Sequence, residues 1–226
     1  MGLDELKATT VLLGRLNPLI FSPEWLEGNN VIGPEESRQA RENGIEVMAP
    51  NITSIALGSM KLIVEEGRFL LSVSDEPLVR AKDFPVGCFR LLSHTPVHAV
   101  GINLNGTLRG EDRNKWDRFG DMLAPKGPWI DFITNKDGER IGGLKTIVME
   151  TQKTVGNKKG HMRCSISSDS GGLEATVQMN NHFDIGTQSA PSNGAEAYKL
   201  IEEVWDDVIE FSQDMFSRVK ELADAA

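Results

Sequence analysis

Apolar and polar positions first alternate regularly at Met60. Met60, Leu62 and Val64 alternate with Lys61, Ile63 and Glu65, and beyond Glu66-Gly67 the set Phe69, Leu71 and Val73 alternates with Leu70, Ser72 and Ser74. Two period-two runs around a glycine-containing turn predict a β-hairpin. Upstream, residues 9–16 read as a short strand, and Pro23 opens a one-turn helix holding Trp25 and Leu26. Pro34 then starts a short polar helix that Asn43-Gly44 is expected to end in the left-handed conformation. Downstream, Asp83 is placed to cap a helix with Pro85 in its first turn and Phe84, Cys88, Phe89 and Leu92 on one face. Thr95-Pro96 closes that helix, because the residue before proline avoids the helical region, and 97–104 follows as a strand.

The second part of the chain repeats this order. Asp112 caps a helix carrying Trp116, Phe119 and Leu123 along one stripe. Strands are predicted near 142–155, 161–168 and 173–182, joined by Gly156-Asn157-Lys158-Lys159-Gly160 and by Ser168-Asp169-Ser170-Gly171-Gly172. Connections this short imply an antiparallel meander. Residues 194–223 then form a helix whose apolar positions fill about half the circumference, well beyond the ~100° stripe of an ordinary surface helix. Ser212 is the single interruption of that half. Such a helix covers a sheet and also meets a second element, either within the chain or in another copy; Trp205, Phe211, Met215, Phe216 and Val219 are its candidate interface residues.

The expected fold class is therefore α+β, with largely antiparallel sheet and a long amphipathic C-terminal helix packed on a three-stranded meander. Residues 1–125 and 126–226 form the expected N-terminal and C-terminal halves of one continuous fold, and the matching order of strands then helix hints at a shared sheet.

Composition narrows the function classes. The 226 residues carry 33 acids and 24 bases, a formal net charge of −9, which argues against nucleic acid as the main ligand. The charge is uneven: Glu196 to Asp214 holds seven acids and one lysine, and Lys136 to Arg163 holds seven bases and three acids. The N-terminus has neither the basic region nor the apolar core of a signal peptide, and no apolar run reaches the ~20 residues of a membrane helix. Cys88 and Cys164 form no C-x-x-C pair and read as reduced thiols, so a cytoplasmic chain is expected.

No phosphate-binding loop, dinucleotide fingerprint or nucleophile elbow is present. Asp169-Ser170-Gly171-Gly172 resembles a serine-protease nucleophile segment, but Ser168 stands where those enzymes place glycine, and turn chemistry explains the same residues. His94 and His98 have a metal-ligand spacing that Pro96 breaks, so no metal or cofactor is expected. The sharper candidate is a sheet face. If Met162, Cys164 and Ile166 point to the core together with Leu173, Ala175, Val177 and Met179, parity puts His161, Arg163, Ser165 and Ser167 on the other face with Glu174, Thr176, Gln178, Asn180 and His182. There His161 lies opposite Asn180 or His182. Of these, His161, Arg163, Glu174, Gln178, Asn180 and His182 are the candidate binding residues, and Glu150, His161, Arg163 and His182 are where acid–base chemistry would sit. The expected function is a non-enzymatic interaction or assembly module, homo-oligomeric or bound to a partner protein. The alternative is an enzyme or small-ligand binder using that polar face.

Overall fold

A computed structural model describes residues 2–168 and 172–226. In chain order its elements are β1 (Gly2–Gly14), α1 (Pro23–Gly28), α2 (Pro34–Gln39), β2 (Ile45–Ala49), β3 (Ile52–Leu57), β4 (Met60–Glu65), β5 (Arg68–Val73), α3 (Arg80–Leu91), β6 (Pro96–Arg109), α4 (Arg113–Leu123), α5 (Ile130–Ile133), β7 (Thr146–Val155), β8 (Lys158–Ser168), β9 (Glu174–Asp184), β10 (Ser192–Asn193) and α6 (Gly194–Ala225). The fold is α+β, as expected. All the strands join one antiparallel sheet in the order β2-β3-β4-β5-β1-β6-β9-β8-β7, with β10 pairing beside β6.

The two halves follow one plan: a long strand, short helices, a meander, and a helix that returns over the sheet. In each, the last meander strand pairs with the opening long strand (β5 with β1, β9 with β6), and β1 pairs antiparallel with β6 at the centre. The second long strand begins at Pro96, and residue 125 falls between α4 and α5. The segment 169–171, and with it the protease-like sequence, lies outside the described residues.

Helices cover one face of the sheet. α6 lies chiefly over β6 and against α3, and also touches β1 and all three meander strands. Asn193 caps it by accepting a hydrogen bond from the Glu196 N–H. Its first residue is held so close to α3 that a Cβ on Gly194 would sit 2.4 Å from the Leu92 carbonyl oxygen. Phe69 joins the first half's core, with ring contacts to Phe21, Phe84 and Phe89. Ser212, the polar break in the apolar half of α6, receives a hydrogen bond from the fully buried Asn181 of β9 at 3.2 Å.

Two expectations change. The helical turns that start at Pro34 do run through Ala40–Gly44 and stop at Gly44, but Gly44 is not left-handed; a Cβ there would meet the Ala56 carbonyl oxygen at 2.4 Å, so its small size lets the chain pass against β3. α3 starts at Arg80, before Asp83, and Pro85 lies inside it. Pro85 has no N–H to give to the carbonyl of Ala81, four residues back. The buried Thr10 hydroxyl of β1 donates to that carbonyl instead, at 2.5 Å. An interior proline is thus accommodated by a side chain from the sheet beneath it.

Candidate functional site

Among the described residues no helix packs on the opposite face of the sheet. Side chains there fall into rows that the strand register fixes. One row runs Ile63, Leu70, Val11, Gly101, His182, His161, Gln152, and its neighbour runs Lys61, Ser72, Thr9, Asn103, Asn180, Arg163, Glu150. The first passes from apolar side chains, across a glycine, to the imidazoles. The second is a polar ladder: the Thr9 and Ser72 hydroxyls lie 3.4 Å apart, Asn180 Nδ2 donates to Asn103 Oδ1 at 2.9 Å, and Arg163 Nε donates to Glu150 Oε1 at 2.6 Å.

Over β7, β8 and β9 this face holds a cleft of about 610 Å³. His161, Arg163, Asn180 and His182 line it, joined by Glu150 and Gln152 from β7. The parity argument thus brings four of its six candidates together, and His161 is opposite His182. Gln178 sits one step along the same face, opposite Ser165 and Asn105. Glu174 is at the far end of β9, where it accepts from Arg109 Nε at 2.9 Å, and it does not reach the cleft. Sequence reasoning missed Gln152, Asn103 and Asp184. The signal for Asp184 was its position two residues beyond His182, on the same face of a strand.

The charges of this face are mostly paired within the chain: Arg163 with Glu150, Lys61 with Glu46, Arg68 with Glu65, and Arg109 with Glu5 and Glu174. The Arg109 guanidinium, by hydrogen bond and charge, holds the Glu5 carboxyl below the usual carboxylate range. Exposed pairs of this kind contribute little stability, and they leave the face without a strong field. His182 Nε2 lies 3.0 Å from Asp184 Oδ1, so the carboxylate orients that ring. Neither the His161 ring nor the Gln152 amide has a hydrogen-bond partner among the described residues.

An oriented imidazole can act as a base, but nucleophilic catalysis also needs a partner group. The thiols do not supply it. Cys164 is on β8 in the alternate parity to His161 and Arg163, and burial pushes its pKa up; Cys88 is fully buried and burial raises it much further. No group of three or more metal-ligating side chains occurs among the described residues. The chemistry this cleft offers directly is hydrogen bonding to a polar ligand.

The helix residues expected at an interface are accounted for within the chain. Trp205, Phe216 and Val219 are buried, so they offer no accessible surface. Phe211 and Met215 are half-buried, and Lys153 Nζ of β7 lies 3.7 Å from the Phe211 ring centroid. The surplus apolar width of α6 is used by the sheet and α3.

Exposed apolar surface is concentrated elsewhere. Among the described residues, seven of the thirteen exposed large apolar side chains lie between Met122 and Met149. Phe132 is 84% exposed, Ile141 69%, Met149 67% and Trp129 56%. Periodicity could not find them, because they sit in one short helix, a loop and an edge strand.

No helix of the described residues is long and apolar enough to cross a membrane. A comparison with protein-family models and with curated proteins finds no match.

Proposed function

We propose that this chain is a cytoplasmic, non-enzymatic interaction module that works in complex with a partner protein or with further copies of itself. The observation that carries the reading is that seven of the thirteen exposed large apolar side chains among the described residues fall in the stretch from Met122 to Met149. Single exposed apolar residues are ordinary, but a concentrated set on a soluble surface marks a place where another surface docks. The net charge of −9 and the paired charges of the open sheet face argue against a nucleic-acid ligand. Native mass spectrometry of the tagged chain, purified gently from its own cells, tests the proposal. A stoichiometric second polypeptide or a second copy supports it; a bare monomer contradicts it.

A second reading has its own observation. The cleft of about 610 Å³ with the unpartnered His161 and Gln152 favours a small polar ligand. A monomer carrying a small-molecule adduct that is lost in His161→Ala would replace the interaction reading with this one.

A further inference from the structure

We infer that the outer edge of β7 receives an extended, acidic segment of a partner protein, one apolar side chain of which seats in the cavity where β7 begins. The inference rests on the interaction reading above and names the surface and the partner's chemistry.

The two edges of the sheet are built differently. β2 has five residues, its register shifts between Ile45 and Val47, and Pro50 follows it directly. Shortness, a bulge and a proline are the devices that keep an edge strand from recruiting another chain. β7 has ten residues, contains no proline, and pairs with β8 without a register shift. Its sequence, Thr-Ile-Val-Met-Glu-Thr-Gln-Lys-Thr-Val, is rich in β-branched residues, and almost all of it is exposed. An edge of this length without bulge or proline is a template for strand addition, in which backbone hydrogen bonds supply affinity and pockets for side chains supply specificity.

Such a pocket is present. A cavity of about 290 Å³ is lined by Ala124, Trp129, Phe132, Ile133, Leu144 and Thr146. Thr146 is the first residue of β7, so the cavity adjoins the start of the edge strand. Its walls are largely apolar, which suits an aliphatic or aromatic anchor.

Charge selects the partner. The stretch from Lys136 to Arg163, with seven bases and three acids, folds into β7, β8 and the approach to them. β7 itself holds one acid and one base, Glu150 and Lys153, and the surplus of bases flanks its ends, with Lys136 and Lys145 before it and Lys158 and Lys159 after it. A second copy paired antiparallel along β7 would bring the Lys145 end against Lys158 and Lys159, whereas an acidic segment is drawn to both ends.

The test uses the full chain and a synthetic fluorescein-labelled peptide about as long as β7, alternating Asp and Val with a Trp near each end. Fluorescence anisotropy should show saturable binding. The Kd should rise at least about tenfold when the Asp residues are replaced by Lys, when alternate peptide amides are N-methylated, and in Phe132→Ala. Phe132 is exposed, so this variant keeps its fold, which circular dichroism checks. No saturable binding, or binding indifferent to all three changes, would overturn the inference. So would a dimer in sedimentation velocity that Thr151→Pro dissociates, since the edge would then belong to a second copy. If a natural partner is found but stays bound to Phe132→Ala and is not displaced by the peptide, this inference fails while the interaction reading stands. If no partner is found, the interaction reading itself fails.

Discussion

Replacing Thr10 by Val removes one hydroxyl and almost no volume. In the native structure that hydroxyl is fully buried and donates to the Ala81 carbonyl, which Pro85 cannot serve. The variant leaves the carbonyl buried without a donor, at a cost of about 1–3 kcal/mol. In a chain of this size that lowers the melting temperature by roughly 2–12 °C. The informative experiment is a double-mutant cycle with Pro85→Ala, read by urea unfolding followed by circular dichroism. Alanine at 85 provides the N–H that an α-helix directs to residue 81. In the Pro85→Ala background, Thr10→Val should therefore cost at least about 1 kcal/mol less than in the natural sequence. Equal costs in the two backgrounds, within about 0.5 kcal/mol, would refute the idea that Thr10 stands in for the missing backbone donor.

Three further outcomes are expected. Ser212→Ala alone should destabilise by about 1 kcal/mol, while Ser212→Ala with Asn181→Leu should cost less than the sum of the two single changes in urea unfolding, because their shared hydrogen bond is then lost only once. Arg163→Ala with His182→Ala should change stability by no more than about 0.5 kcal/mol in thermal unfolding; a collapse of the fold would show that this sheet face is covered. Burial pushes the Asp121 carboxyl up, but Arg140, bonded to both its oxygens, and Lys126 outweigh this and hold it below the ordinary aspartate range. A depressed folded-state pKa gives stability that is present above the unfolded value and lost as pH falls through the folded one. Acidification below about 3.9 should thus raise hydrogen exchange across 126–145, and Asp121→Asn should abolish that pH dependence.

Much of the architecture was legible because it rests on local rules. Met60, Leu62, Val64, Phe69, Leu71 and Val73 keep period two and are all buried. Asp112 caps α4 by accepting from the Lys115 N–H, as its position before Trp116 and Phe119 suggests. What stayed hidden depends on partners distant in sequence. β3 was unread because Thr53 and Ser54 are polar yet buried, Thr53 donating to the Pro18 carbonyl and Ser54 to Glu46. The start of α3 was misread because Pro85 looks like a first-turn residue unless Thr10 is known to lie beneath it. The cleft was largely legible: parity grouped His161, Arg163, Asn180 and His182, and Glu150 was named beside them, but only the pairing of β7 adds Gln152. The exposed stretch around Trp129 and Phe132 has no period, and its meaning emerged only when the sheet order made β7 an edge.

The most direct test of the interaction account is hydrogen–deuterium exchange on the chain alone and in its purified complex. The account predicts slower exchange in the complex across β7 and across 126–145, with α6 unchanged. Unchanged exchange in both of those stretches, with protection confined to the strands that bear His161 and His182, would contradict it and assign the function to the polar cleft.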